Sequence, residues 1–164
     1  MNEAKRQERN AQRLQECYPT FRKKVAAILS DLEGHGLRPR IQDAWRSPAD
    51  QLKAYQNGNS KLRYGFHNVT NASGAPESLA CDILDDDHPT AVPTRYLLIY
   101  AASARAHGLE TGILWGLPPK LRDAVNTAIA QKDWEAHVKV GWDPTHVQPT
   151  GMTPQEAKAG KRPK

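Results

Sequence analysis

Two histidines and one aspartate in this chain are of the types that hold a reactive metal ion. They are His67 in Gly65-Phe66-His67-Asn68, Asp82 in Ala80-Cys81-Asp82, and His146 in Trp142-Asp143-Pro144-Thr145-His146. Two neutral imidazoles and a carboxylate fill three corners of a tetrahedron around zinc. The fourth corner stays open for water, the arrangement of catalytic rather than structural zinc. An ion so held keeps net positive charge and can lower the pKa of bound water from about 15.7 to about 7. Asp143 stands three residues before His146. As a carboxylate within reach of that water it would serve as general base. Asp followed by Pro predicts a type I turn over 143–146, which brings its two ends within about 7 Å and turns base and ligand toward one ion.

The elements around these residues have to place them. Residues 79–84 read as a short strand, in which alternate side chains share a face. Leu79, Cys81 and Ile83 then face a core, while Ala80 and Asp82 share the opposite side, where a small alanine leaves room beside the carboxylate. Ser47, Pro48 and Asp50 form a helix start, with serine capping and proline at the first helical position. Arg46 precedes that start and is held more firmly than an arginine on a free loop.

With these residues in view, the chain resembles the D-alanyl-D-alanine carboxypeptidase and L-alanyl-D-glutamate endopeptidase family of zinc peptidases, which shares a fold with the hedgehog signalling domain. The family's ordered pattern is an aromatic-Arg-Ser element, S-x-H-x-x-G-x-A-x-D, a W-G segment and [D/E]-x-x-H. Its counterparts are Trp45-Arg46-Ser47, Gly65-Phe66-His67 with Ala80-Cys81-Asp82, Trp115-Gly116, and Asp143-Pro144-Thr145-His146, over roughly residues 20–150. The resemblance implies a hydrolase of peptidoglycan peptides, most similar in kind to a phage endolysin, with a bacterial carboxypeptidase or dipeptidase as the alternative. It implies Zn2+ as cofactor, His67, Asp82 and His146 as metal ligands, and Asp143 and Arg46 as catalytic residues, Arg46 stabilising an oxyanion. A permanently charged planar guanidinium suits that task. Two departures stand out. Gly65 replaces the family serine, and His67 and Asp82 are fifteen residues apart instead of seven. The added stretch, Val69 to Pro76, is rich in turn formers and reads as an inserted loop or hairpin.

The remaining histidines read as structural. His35 lies between glycines in a turn, and His107 precedes Gly108 at a helix end, where a cation suits the dipole. His137 competes with His146 as a ligand but has no base at useful spacing. Asp85, Asp86 and Asp87 before His88 read as a solvated acidic loop, since no full calcium-ligand spacing is present.

The coarse pattern is α+β, a single small domain with an antiparallel sheet and helices packed on one side. Phe21, Val25, Ile28, Leu29 and Leu32 recur at helical spacing, and charged residues 3–16 extend that helix or fray. A strand is predicted at 37–44, a helix at 48–56, and a helix from Pro93-Thr94 to Ala106 closed by Gly108. Residues 109–114 read as extended, Leu121, Val125, Ala128 and Ile129 mark another helix, and strands follow at 137–140 and 145–148. The peptidase domain is assigned to residues 1–152, with a basic, disordered tail at 153–164.

The chain has 164 residues and a mean hydropathy of −0.72, so it suits one compact domain and offers no membrane-spanning segment. No apolar stretch follows the charged N-terminus, which predicts synthesis in the cytoplasm without a signal peptide and action on the wall after release. Cys17 and Cys81 are too few for a disulfide framework, and Cys81 belongs to the core. Net charge is +5, concentrated toward the ends. Such a surface attracts anionic envelope and could also attract nucleic acid, but aromatics do not interleave with the basic cluster as nucleic-acid binding would require. A non-catalytic zinc-bearing interaction domain is a further class, disfavoured by the candidate base and arginine. The expected partner is a peptidoglycan peptide, bound by a monomer.

Overall fold

The computed structural model describes residues 1–164. Helices α1 (Glu3–Gln15) and α2 (Pro19–Gly34) lead into strand β1 (Pro39–Asp43), and helix α3 (Pro48–Gln56) follows. Then come β2 (Cys81–Asp85), α4 (Thr94–Ala106), β3 (Leu109–Gly112), α5 (Pro119–Ala130), β4 (Asp143–Pro149) and α6 (Pro154–Lys158). The four strands form one antiparallel sheet in the order β1-β2-β4-β3. This is the α+β class expected, and the neighbours of β4 come from separate parts of the chain.

The apolar stripe of α2 buries Phe21, Val25, Ile28 and Leu32 completely, and α4 buries Tyr96, Leu98 and Tyr100. These pack with Ile41, Cys81, Ile83 and Val147 of the sheet into one core. Buried tyrosine hydroxyls need partners. Tyr96 donates to the Ile83 carbonyl at 3.1 Å and Tyr100 to the Thr145 carbonyl at 3.0 Å, which ties α4 to the two strands that carry the candidate site. Cys17 and Cys81 are free thiols in this core, their sulfurs 3.5 Å apart.

Residues 3–16 neither extend α2 nor fray. Tyr18 is extended and Pro19 restarts the helix, because the residue before proline is driven out of the helical region. The separate α1 covers the edge of β1. Asn10 donates to the Pro39 carbonyl and accepts from the Ile41 amide, standing in for a neighbouring strand. Arg6, 2% exposed, donates to Pro39 O, and Arg9 donates to Ile41 O and Gln42 O. Arg22 donates to the last carbonyls of α1. Part of the N-terminal positive charge therefore serves the fold and not a solvated surface.

Three further expectations are corrected. The strand predicted at 137–140 is irregular backbone: Ala136, Val138 and Val140 do pack alternately against the core, but no strand pairs with them. Asp85 and Asp86 are buried, not solvated. Asp86 pairs with Arg40, Arg38 and the terminal amino group, and Asp85 with His88. The tail from Thr153 is ordered. Thr153 and Glu156 form a reciprocal capping box for α6, Ala157 joins the core, and Arg162 donates to Glu77 at 3.0 Å and to Thr70 O at 2.7 Å. Composition alone missed it because one buried alanine and one bridging arginine suffice to dock so short a segment.

Candidate metal centre

Asp82 and His146 are direct cross-strand partners on β2 and β4, so the sheet register itself sets carboxylate beside imidazole. His146 Nδ1 lies 3.3 Å from Asp82 Oδ1. His67 arrives from outside the sheet on a single 3₁₀ turn, Phe66–Asn68, with Nε2 3.4 Å from Asp82 Oδ2. That turn is fastened by Asn68, fully buried, which accepts from the Gly65 amide and donates to the Arg46 carbonyl. Gly65, where a serine was expected, thus has its amide satisfied by Asn68. The inserted stretch closes as a small hairpin: Thr70 pairs with Pro76, and Asn71 Oδ1 accepts from the Ser73 and Ala75 amides. Fifteen residues of chain therefore return Asp82 to His67.

The donor set fits a tetrahedral metal. Zinc donors lie 2.0–2.1 Å from the ion, so two of them at a tetrahedral angle are about 3.3 Å apart. His67 Nε2 lies 3.4 Å from Asp82 Oδ2 and His146 Nδ1 3.3 Å from Asp82 Oδ1, and with one ligand atom from each residue the three donors lie within 4.8 Å of one another. Tautomers agree as well. His67 Nδ1 contacts the Ala44 carbonyl and must carry hydrogen there, which leaves Nε2 with a lone pair. His146 Nε2 faces Gln148 Oε1 at 2.9 Å, which leaves Nδ1 free. Both outer bonds are of the kind that orient metal-binding imidazoles. These three residues could hold a metal ion.

In the metal-free site Asp82 and His67 shift each other's protonation. Burial alone would raise the Asp82 carboxyl, but hydrogen bonds from His146 and His67 hold it well below the usual carboxylate range. Burial favours the neutral ring of His67, yet the Asp82 carboxylate raises its proton affinity above the ordinary value. Metal and protons therefore compete for the same lone pairs.

Asp143 stands beside this group, its Oδ2 3.9 Å from His146 Nδ1. The predicted type I turn is not what brings it there. Asp143 opens β4, and side chains i and i+3 of a regular strand point to opposite faces. A bulge removes the difficulty: Thr111 pairs with Val147 while the next residue, Gly112, pairs with Asp143. One step along β3 thus spans Pro144, Thr145 and His146 on β4. Burial raises the Asp143 carboxyl above its ordinary pKa, and the Asp82 charge adds to this against the pull of His146 and His67.

All five residues named from the sequence, His67, Asp82, His146, Asp143 and Arg46, line one cleft of about 580 Å³. Arg46 donates to Gln51 Oε1 at 3.2 Å, and Gln51 reaches on to Ser60 and the Leu62 carbonyl. As predicted, Ser47 caps α3, accepting from the Asp50 amide. Trp115 packs over the His146 ring at 5.3 Å, and Trp142, 73% exposed, leans on Trp115 at the cleft. His137 is exposed and takes no part in the cleft, His107 bonds Asp31, and His35 packs edge-on to Trp134. Ala80 is wholly buried, so it does not provide the open space expected beside Asp82. Gln51, Asn68 and Gln148 escaped the sequence reading. For Gln148 a signal existed, since it lies two residues after His146 on the same strand face.

Neither a protein-family profile nor a curated protein sequence matches the chain. Among solved structures it is similar to the crystal structure of Serratia marcescens L-Ala D-Glu endopeptidase ChiX, with a TM-score of 0.49 and 19% identity, over 87% of this chain and 86% of that one.

Proposed function

We propose that the chain is a zinc-dependent peptidase of peptidoglycan, hydrolysing a peptide bond in stem peptides or their cross-links. The observation that carries this reading is the convergence of His67, Asp82 and His146 with Asp143 at 3.9 Å from one ligand. The ordered motifs supply the substrate class, and Arg46 in the same cleft is the feature a non-catalytic zinc domain would not need. Action as a phage lysin is the favoured role, and a bacterial carboxypeptidase or dipeptidase is the alternative. No helix is long and apolar enough to cross a membrane.

His67 Nε2, Asp82 and His146 Nδ1 would hold the ion. Bound there, zinc supplies Lewis acidity and a water that loses its proton near neutrality. Asp143 would act as general base, accepting a proton from the attacking water as its oxygen bonds to the scissile carbonyl carbon, and would return it to the amide nitrogen as the C–N bond breaks. Arg46 donates to the oxyanion that develops on the carbonyl oxygen. Gln51 holds one N–H of that guanidinium and leaves the others for substrate.

Elemental analysis of purified protein is expected to give about one zinc per chain, lost in His67→Ala, Asp82→Ala or His146→Ala and kept in His137→Ala. Zinc-loaded protein is then incubated with purified muropeptides, and mass spectrometry identifies the bond cut. Intact muropeptides with a fully loaded site would overturn the proposal. For Arg46→Lys, zinc content should stay at the natural level while kcat falls by about 10²–10³, or about 2.7–4 kcal/mol of transition-state stabilisation. A rise in KM alone would instead make Arg46 a residue that binds the ground state.

A further inference from the structure

We propose that Glu110, through Gln148, is a positioning residue that fixes the tautomer of His146 and so prepares its Nδ1 for the metal. The proposal rests on the reading of His67, Asp82 and His146 as ligands, and adds a carboxylate on the edge strand β3 that is not itself one of them.

The register lays the parts out in a row. Asp82 of β2 is paired with His146 of β4, and two residues on, on the same face, Gln148 is paired with Glu110 of β3. Gln148 Nε2 donates to Glu110 Oε1 at 3.0 Å, and Gln148 Oε1 lies 2.9 Å from His146 Nε2. A glutamine amide can be turned either way round, so by itself it could accept from Nε2–H or donate to a bare Nε2. A carboxylate only accepts. It therefore holds the NH2 of Gln148 toward itself and presents the oxygen to the ring. An oxygen at that place requires hydrogen on Nε2. The neutral imidazole then keeps its lone pair on Nδ1, the nitrogen that faces Asp82 at 3.3 Å. A carboxylate three groups removed from the ion thus decides which ring nitrogen can bind it, without touching ion or substrate. For His67 the same task is done directly by the Ala44 carbonyl, which cannot turn round.

The test uses full-length protein and two readouts. Imidazole ¹⁵N shifts of metal-free protein, taken at alkaline pH where the rings are neutral, report the tautomer. Competition with a chelating dye reports zinc affinity. In Glu110→Gln the constraint on the Gln148 amide is removed, and a fraction of His146 should move to the Nδ1–H form. Zinc affinity should fall by about 10- to 100-fold, the effect usual for losing an outer partner of a metal ligand. Gln148→Leu should fall as far. The exchanged double variant E110Q/Q148E puts a fixed acceptor beside Nε2 and a donor behind it, so it should restore both the Nε2–H tautomer and most of the affinity. A purely structural role for the pair would not give that recovery. An unchanged tautomer in Glu110→Gln, or a double variant no better than Glu110→Gln, would overturn the relay. Failure of the natural protein to bind zinc would instead sink the metal assignment, while the tautomer measurement would still decide the relay.

Discussion

Asp143→Asn is expected to fold and bind zinc like the natural protein and to lose about 10²–10⁴ of its turnover, the usual contribution of a positioned general base. The substitution keeps size and shape and removes only the ability to take a proton. Asp143 is well placed for this loss to be large. Its Oδ2 lies 3.9 Å from Nδ1 of His146, so it stands within reach of a water held at the open position of the site. Steady-state turnover on a defined muropeptide, measured beside zinc content, separates base from ligand. Lost zinc in Asp143→Asn would make Asp143 a ligand, and near-natural turnover would remove it from the mechanism.

The helices were the most legible part of the fold. α2 and α3 announce themselves by a buried stripe and by a Ser-Pro-x-Asp start, both local signals that packing did not need to override. Strands were legible only where a partner existed. The alternation through Ala136, Val138 and Val140 is the same signal as that through Leu79, Cys81 and Ile83, yet only the second run is paired. Pairing is a property of the whole sheet and is not written in either segment. The ordered tail was hidden for a similar reason, since the contacts of Arg162 with Glu77 and Thr70 join residues more than eighty positions apart.

For the site, residue chemistry was legible and geometry was not. Two histidines, two aspartates and an arginine were identifiable by type and order. The sequence also suggested why Asp143 and His146 should converge, through an Asp-Pro turn, and that reason was mistaken. The bulge that replaces it depends on what β3 offers opposite β4, which no window around residue 143 contains. Outer partners were harder still. Gln148 and Asn68 are common polar residues whose role exists only once the Glu110 and Arg46 segments lie beside them.

Gly112 sits at that bulge and Gly141 packs against it, and adding a single methyl group to either is expected to damage the site more than most surface substitutions could. A Cβ on Gly112 would run into the carbonyl oxygen of Asp143 and lie 2.9 Å from the Trp115 ring. One on Gly141 would lie 2.5 Å from both the Gly112 carbonyl oxygen and the Trp115 amide nitrogen. Main-chain atoms oppose the methyl group in both cases, and main chain cannot rotate aside as a side chain would. Gly112→Ala and Gly141→Ala should each cost about 3 kcal/mol or more, the upper part of the range for overpacking. Gly34→Ala is the control. It lies in α2 with nothing within 4 Å of the added carbon, so the helix should gain up to about 1 kcal/mol. Urea unfolding of the three variants gives these differences directly. Gly112 has a second consequence, because the atom it would displace belongs to Asp143 while Asp82 and His146 are held by the β2–β4 pair. At temperatures where Gly112→Ala remains folded, turnover should therefore fall further than zinc affinity does. Equal loss of both would mean that the bulge supports the whole metal centre and not the base alone.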